Sequence, residues 1–349
     1  ISTIFFPTLG EIKTIVMLRK LVFGILAFFS LISVSAQESY FYPGNGKFNP
    51  AIPTPQQFLG YAIGEQHTRH DKIVEYFKEL DRLSDRVSVE VIGRTFENRE
   101  QIVGVFTSAD NQKNLEQIRQ QHLAGQKQGA TEKVPLVIHL GYNVHGNEPS
   151  SSEAAMLTAY YITASESEEA ERWMRDMVIL LDPVINPDGR DRHTNWANMH
   201  KAFPPVADAN DREHNEIWPG GRTNHYWFDL NRDWFLGTFP ETRNRVNFFH
   251  KWRPYVQTDH HEMGTNSSFY FDPGEEASNN PVVPDYLYKK VYPKYAEYFS
   301  KAVNGIGSEV RAASGLLRKM QSGLVRSYAF VIGLGAVVLL AWFLLRGIL

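Results

Sequence analysis

The sequence predicts an α/β fold in which a mixed, mostly parallel sheet is flanked by helices, followed by a C-terminal transmembrane helix. Three observations indicate the sheet. Short apolar runs alternate with amphipathic segments of helical periodicity, which is typical of α/β proteins. The runs end in loops rich in Gly, Asn and Pro. The composition, 43% hydrophobic and 21% charged over 349 residues, is that of a globular chain with a substantial core.

Charge and cysteine content exclude several classes of function. The net charge of −3 provides no general attraction to nucleic acid. The chain has no cysteine, which excludes thiol catalysis, cysteine-ligated zinc and disulfides. Many of its 12 histidines lie between residues 193 and 261. A metal site or an acid–base site is therefore a reasonable first hypothesis.

The N-terminal 66 residues have the pattern of a leader followed by an irregular segment. Met17 is followed by a basic pair, an apolar run and a small-residue cleavage site before Gln37, as in a secretory signal peptide. A membrane anchor needs about 20 apolar residues, and this run is well short of that length. We interpret residues 1–16 as translated upstream sequence, residues 17–36 as a signal peptide and residues 37–66 as a Pro/Gly-rich irregular segment. We therefore expect export to the periplasm, the outer surface or the medium.

Residues 67–300 are predicted to form the folded domain. Apolar residues at helical spacing predict helices over residues 67–82, 114–123, 150–163, 168–175 and 241–252. Compact runs of β-branched and apolar residues predict strands over 87–92, 102–106, 134–140, 177–181 and 255–258. The first two strands surround a short polar turn and are expected to pair as a hairpin.

The strand over residues 134–140 runs into the loop His139-Leu-Gly-Tyr-Asn-Val-His145-Gly-Asn-Glu148. In open α/β sheets, ligand sites are built outside the carboxyl ends of the strands. His145 and Glu148 offer an imidazole and a carboxylate there, which are two of the three protein ligands that a catalytic zinc needs. The pair alone is weak evidence, because about one chance His-x-x-Glu is expected in a chain of this composition.

Three further strand ends or loops carry polar motifs. A turn, Asn186-Pro-Asp-Gly189, follows the strand over 177–181, and Asp229-Leu-Asn231-Arg232 comes later. The last predicted strand ends in Asp-His260-His261-Glu. Neighbouring residues of a strand point to opposite faces, so only one of these two histidines can reach a metal. Four such motifs in this order are improbable by chance.

Together these motifs resemble the zinc carboxypeptidase family of carboxypeptidase A-like enzymes. The resemblance is strongest to its secreted bacterial branch, which has Pro219-Gly-Gly-Arg222-Thr-Asn-His before Asp-Leu-Asn-Arg, and it covers roughly residues 40–300. It implies an α/β fold with one zinc ion at the carboxyl ends of the strands. It also implies hydrolysis of C-terminal residues from peptides or proteins with a free C-terminus.

The resemblance also implies roles for individual residues. His145, Glu148 and His261 would bind the zinc, with His261 favoured because the family has His-Glu at this point. Asn231 and Arg232 would hold the terminal carboxylate of the substrate, which suits a directional amide and a planar guanidinium.

The arginine that stabilises the oxyanion in the family is harder to place. The usual aromatic-plus-arginine pattern after the Asn-Pro-Asp-Gly motif is absent, since Trp196 is followed by Ala197. Arg222 is the favoured substitute, and Arg190 or Arg192 remain alternatives.

The chain changes character after residue 300. Residues 328–345 are uncharged and mostly apolar, which predicts a transmembrane helix. The segment from about residue 302 resembles the C-terminus of the membrane subunit 5/L of proton-pumping NADH dehydrogenase. Four positive charges precede this helix and one follows it, so the positive-inside rule conflicts with a signal peptide. We interpret residues 301–349 as an unrelated tail of a chimeric or misassembled frame.

The family's general-base Glu is expected downstream of residue 300 and is absent from this tail. Because a general base contributes about 10²–10⁴-fold to rate, we expect impaired turnover. Two alternatives stay open. One is a membrane-tethered, non-catalytic binding module or a fragment of a respiratory-chain membrane subunit. The other keeps the zinc but acts as an amidase on cell-wall peptides or acyl amino acids.

Overall fold

The computed structural model describes residues 41–42, 46–128, 133–203, 206, 208–262, 280–294 and 297. The predicted leader over residues 1–36 and the predicted transmembrane helix over 328–345 lie outside these residues. Within the described ranges, every helix is too short or too polar to cross a bilayer.

Among the described residues, five strands form one sheet in the order β1-β2-β4-β3-β5. They are β1 (Val87–Arg94), β2 (Glu100–Phe106), β3 (Leu136–Tyr142), β4 (Met177–Asp182) and β5 (Val256–His260). β3 pairs in parallel with both β4 and β5, whereas β1 with β2 and β2 with β4 are antiparallel. The prediction of a mixed sheet is confirmed. Parallel pairs are two of these four rather than the majority, because the β1–β2 hairpin attaches to β4 in the antiparallel sense.

In the part of the chain that the structure describes, eight α-helices connect and cover the strands. They are α1 (Pro55–Leu59), α2 (His70–Leu83), α3 (Ala109–Lys113), α4 (Leu115–Gln128), α5 (Pro149–Ala164), α6 (Glu168–Asp176), α7 (Pro187–His200) and α8 (Pro240–Trp252). Short 3-10 turns lie at Arg212–His214 and Leu230–Arg232. A π-helix, Leu287–Val291, lies in the separate described stretch 280–294.

Apolar side chains cover both faces of the sheet. On one face, α2 and α5 bury Phe77, Leu80 and Met156 against Leu181. The opposite face carries a second cluster under α8, formed by Val103, Val105, Val137, Val178, Leu180, Phe248 and Trp252. Burial on both faces explains why β4 is an unbroken apolar run and not an alternating one. The sheet is thus packed on both faces where its strands lead into the polar loops.

The segment after Asn186 is a helix, whereas the sequence pattern predicts only a turn over Asn186–Gly189. Asn186 is the N-cap of α7, its side chain accepting from Gly189 N at 3.0 Å, and Pro187 occupies the first turn. Both are established helix-start signals. The apolar stripe that would have identified the helix is missing, because α7 buries Asp188 and Arg190 instead.

Candidate metal centre

The loop after β3 places His145 and Glu148 at the carboxyl edge of the sheet. Asn143 adopts a left-handed conformation, with φ of 63°. Its side chain donates to the carbonyls of His145 at 2.7 Å and Glu148 at 2.9 Å. Glu148 then caps α5, whose first residue is Pro149. The backbone between the two side chains is therefore fixed from within the loop.

His261 follows the last residue of β5 and reaches the same edge from the neighbouring strand. In the β3–β5 register, Tyr142 lies opposite His260. The His260 ring turns the other way, stacking on Tyr142 at 4.0 Å between centroids and contacting Gly141 O through Nδ1 at 3.0 Å. The structure therefore brings His261, and not His260, to His145 and Glu148.

The three side chains converge on one point. His145 Nδ1 lies 2.8 Å from Glu148 Oε1, and His261 Nδ1 lies 3.2 Å from Glu148 Oε2. One ligand atom from each residue lies within 4.8 Å of the others. His145 and Glu148 are buried, while the side chain of His261 is 30% exposed. Two imidazoles and one carboxylate are a donor set that fits zinc and leaves one side open.

A carboxylate holds the outer nitrogen of each histidine. His145 Nε2 contacts Asp229 Oδ1 at 2.9 Å, and His261 Nε2 contacts Asp259 Oδ2 at 2.9 Å. Such partners fix the ring orientation and the tautomer of a metal-binding imidazole, here leaving both Nδ1 atoms toward the centre. Asp259 was missed by the sequence reasoning. Its two-residue spacing from His261, which puts both on one face of an extended chain, was the available signal.

The electrostatics of the centre favour an anionic carboxylate beside a cation. Burial alone would raise the pKa of Glu148, but hydrogen bonds with His145, His261 and the amide of Glu262 lower it to about 2. Hydrogen bonds with Asp259 and then Glu148 raise the pKa of His261 to about 10. A metal ion that binds here must displace the proton of that imidazole.

Glu262 links the two strand ends without belonging to the ligand cluster. Its amide donates to Glu148 Oε2 at 2.9 Å. Its carboxylate accepts from the amide and the hydroxyl of Ser150, at 2.7 and 2.6 Å. Ser150 lies in the first turn of α5, where a carboxylate is favoured by the helix dipole.

Of the three arginines considered for the oxyanion, one lies beside the ligands. Arg222 Nη2 is 3.0 Å from Asp229 Oδ2, its Nη1 is 3.5 Å from Glu148 Oε1, and its side chain is 45% exposed. Arg190 is fully buried and donates to two backbone carbonyls and to the carboxylate of Glu153. Arg192 donates to three carbonyls of the 220–224 loop. In the described part of the chain, neither forms a hydrogen bond or an ion pair with His145, Glu148 or His261.

Asn231 and Arg232 lie in the 3-10 turn next to these residues. Asn231 Nδ2 is 3.5 Å from His261 Nε2, and its Oδ1 accepts from Trp234 Nε1 at 3.0 Å. The exposed guanidinium of Arg232 donates to the Asn231 carbonyl at 3.2 Å and forms no ion pair with the described part of the chain. It is therefore available to an incoming anion.

Three glycines allow the loops of the centre to touch through their backbones. A Cβ on Gly146 would lie 2.0 Å from the carbonyl carbon of Gly189, and one on Gly189 would lie 2.5 Å from Gly221 O. These distances leave no room for a side chain. The loop after β3, the start of α7 and the loop before Arg222 consequently form one packed unit.

The family model described as zinc carboxypeptidase matches residues 73–329 of the chain. This range contains every residue of the centre. It also includes residues 301–329, which fall in the tail predicted to be unrelated, and that boundary stays a prediction. No curated protein matches the chain.

Solved metallocarboxypeptidases are partial structural matches. The metallo-carboxypeptidase of Burkholderia cenocepacia is 14% identical, with 55% of this chain and 40% of that chain covered and a TM-score of 0.34. The carboxypeptidase A of Helicoverpa armigera is 14% identical, with 64% and 49% covered and a TM-score of 0.36. The Pseudomonas aeruginosa metallo-carboxypeptidase is 16% identical, with 55% and 38% covered and a TM-score of 0.33. The chain thus spans less than half the length of these proteins.

Proposed function

The chain belongs to the zinc carboxypeptidase family, and on this premise we propose that it is a zinc-dependent metallocarboxypeptidase that removes C-terminal residues from peptides. One observation supports the proposal above all. His145, Glu148 and His261 present ligand atoms within 4.8 Å of one another at the carboxyl edge of the sheet. Each imidazole is backed by its own carboxylate, as catalytic metal sites require.

Recognition of the substrate's C-terminus is assigned to Arg232 and Asn231. The guanidinium of Arg232 is exposed and free of ion pairs with other described residues. A planar guanidinium can bind both oxygens of a carboxylate at once. Asn231 lies between Arg232 and His261, so a carboxylate held there would place the last peptide bond beside the metal ligands. A peptide with an amidated C-terminus would lose this charge pairing.

The bond-breaking step uses Arg222 as the donor to the developing oxyanion. Zinc, when bound, supplies a Lewis acid for the scissile carbonyl and for an attacking water. Arg222 is held by Asp229 at 3.0 Å and lies 3.5 Å from Glu148, and its side chain is half-exposed. A preorganised donor at such a position typically contributes about 10²–10³-fold to rate.

We propose that turnover of this chain is slow. The carboxylates of the described centre are already engaged: Glu148, Asp229 and Asp259 with the histidines, and Glu262 with Ser150. We assign none of these four as the base that takes a proton from water. Loss of a general base costs about 10²–10⁴-fold in rate.

The test compares one acylated peptide with a free C-terminus and its C-terminally amidated twin, incubated with the purified, zinc-loaded protein. We expect slow release of the last residue from the free peptide alone, and none from the His261→Ala variant. Equal cleavage of the two peptides would contradict a carboxypeptidase. Faster hydrolysis of an acyl amino acid or of a cell-wall peptide would favour the amidase alternative.

We also propose that the protein is exported, which the signal-peptide pattern before Gln37 supports. Cell fractionation with N-terminal sequencing is the measurement. A product beginning at Gln37 in the periplasm or the medium is expected, and an uncleaved product in the cytoplasm would contradict export.

A further inference from the structure

One carboxylate outside the metal centre holds the loop that carries Arg222. Glu216 Oε1 accepts from the amide of Gly221 at 2.7 Å, and its Oε2 accepts from Asn147 Nδ2 at 3.2 Å. His193 Nδ1 lies 3.2 Å from Oε1, and the Glu216 side chain is 13% exposed. All three partners lie on segments that meet at the centre.

The two hydrogen-bond donors of Glu216 are immediate neighbours of functional residues. Gly221 precedes Arg222, and Asn147 precedes the ligand Glu148. Glu216 therefore connects the backbone that carries the arginine with the loop that carries the metal ligand. The side chain of Arg222 is 45% exposed and, among the described residues, pairs only with the carboxylates of Glu148 and Asp229. Its position therefore also depends on how its backbone is held.

The chemistry of the contact requires an anion. Burial raises the pKa of Glu216, but the neighbouring His193 and the hydrogen bonds from Asn147 and the Gly221 amide outweigh burial and lower it. A carboxylate offers acceptors on both oxygens, whereas a glutamine offers one acceptor and turns its amide donors toward Asn147 or His193.

The neighbouring glycines show how closely the loop approaches this carboxylate. Gly220 has a φ of +57°, and a Cβ there would lie 3.1 Å from Glu216 Oε2. A Cβ on Gly221 would lie 2.4 Å from His193 Cβ. The loop is thus pressed against Glu216 and α7, so a change at Glu216 is transmitted to the backbone of Arg222.

We infer that Glu216 is a positioning residue that sets the distance of Arg222 from the metal ligands and so controls stabilisation of the oxyanion. The inference rests on the proposed function. It differs from it in naming a residue that touches neither the metal ligands nor the substrate.

The experiment measures binding of a phosphonate peptide, a tetrahedral anion that mimics the oxyanion, to the zinc-loaded protein by calorimetry. This readout needs no turnover. Arg222→Ala is expected to weaken binding by about 100-fold, as for loss of an oxyanion donor. Glu216→Ala should weaken phosphonate binding by about 10-fold. Added to Arg222→Ala, the same substitution should change phosphonate binding by less than about threefold, because the two residues act as a unit. Zinc affinity, measured by chelator competition, should change less than about threefold in every variant.

Two further variants separate positioning from folding. Glu216→Gln keeps the acceptor for Gly221, so it should melt close to the parent protein and recover part of the lost affinity. Glu213→Ala, a change at a glutamate of the same segment whose side chain does not contact this loop, should leave binding unchanged. Kinetic constants add a readout where turnover is measurable: kcat should fall and KM should not.

The outcomes distinguish the two claims. If the parent protein does not bind the phosphonate at all, the proposed function fails. If the parent binds and Glu216→Ala binds equally well, or if the losses at Glu216 and Arg222 add, the positioning role of Glu216 is wrong. An equal loss of zinc affinity would also overturn it, since Glu216 would then act through the metal loop.

Discussion

Two aspartates decide which nitrogen of each histidine faces the metal. Asp229 and Asp259 each contact an Nε2 atom at 2.9 Å, and both Nδ1 atoms turn to Glu148 as a result. Hydrogen bonds with Asp259 and then Glu148 raise the pKa of His261 to about 10. The aspartate thus both orients the ring and strengthens its basicity toward a cation.

Removal of Asp259 tests this role. Asp259→Ala is expected to weaken zinc binding by about 10–100-fold, the usual effect of losing a carboxylate behind a metal-binding imidazole. Competition with a chromophoric chelator measures it. Asp85→Ala, at an exposed aspartate just before β1, is the control and should leave zinc affinity unchanged. Equal affinities of Asp259→Ala and the parent protein would contradict the role.

The adjacent histidines provide a second test. His261→Ala should weaken zinc binding by more than about 100-fold, because it removes one of three protein ligands. His260→Ala should leave zinc affinity intact but lower the free energy of unfolding by about 0.5–1.5 kcal/mol, the value of an aromatic pair such as His260 on Tyr142. Chelator competition and urea denaturation of both variants decide it, and a reversed pattern would exchange the two assignments.

For individual residues, the sequence was most informative where the order of motifs along the chain could be compared with the order of strand ends. His145, Glu148 and His261 were named because their motifs follow strand ends. Strand alternation allows only one of His260 and His261 to reach a metal, and the family resemblance favoured His261. Asp259 was overlooked although its two-residue spacing from His261 was a signal. Glu216 was not predictable, because a hydrogen bond to a loop amide has no periodic signature. The choice among Arg222, Arg190 and Arg192 for the oxyanion required the burial and the contacts of each side chain, which motif spacing does not reveal.

Among the elements, α7 shows where pattern reasoning fails. Its buried residues include Asp188 and Asp191, which are neutralised by Arg99 at 2.9 and 2.7 Å. Thr95 also donates to Asp188, at 2.7 Å. A helix buried through an ion network has no apolar stripe, so its 3.6-residue period is invisible to hydropathy. By contrast, α2 was predicted because Ile73, Val74, Phe77 and Leu80 all lie on one buried face, and all four are buried.

The N-cap of α7 can be tested against another cap. Asn186→Ala should lower the free energy of unfolding by about 1 kcal/mol, the usual value of a cap. It should also weaken phosphonate binding, because Asn186 Nδ2 donates to the carbonyl of Arg222 at 3.3 Å. Ser167→Ala removes the cap of α6, away from the centre, and should lower stability alone. Urea denaturation and calorimetry measure both variants, and an unaltered affinity in Asn186→Ala would contradict the link.

For the whole molecule, the alternation of strands and helices was enough to predict a mixed sheet, but not its strand order. The order depends on which long-range pairs form, and β2 joins β4 through only three residue pairs, Gly104 to Phe106 with Ile179 to Leu181. Local sequence does not encode such a contact. For this reason the sequence predicted a mostly parallel sheet, whereas two of the four strand pairs are antiparallel.

Buried histidines make the whole fold sensitive to acid. Burial lowers the pKa of His67 and His70 to about 4 and that of His139 to about 3, against 6.5 in an unfolded chain. Below pH 6.5 the unfolded chain therefore binds more protons than the folded one, and stability falls as the pH decreases toward 4. Asp182 opposes this, because burial raises its pKa to about 6 and it gains a proton on folding.

The expected result is a net loss of the order of a few kcal/mol between pH 6.5 and 4.5, since three histidines outweigh one aspartate. Urea denaturation of the chelator-treated protein at a series of pH values measures it. His139→Leu, which removes one of the three groups, should reduce the slope. A flat stability profile over this interval would refute the prediction.

The parallel pairing of β3 with β5 also has a kinetic consequence. It joins residues 138–142 to residues 256–260, so the ligands at 145 and 261 meet only when two distant parts of the chain have found each other. Contacts of such long sequence separation form slowly, because the intervening chain must first be closed into a loop. The rate at which refolding protein binds zinc should therefore report the docking of β5 against β3 rather than the collapse of the core.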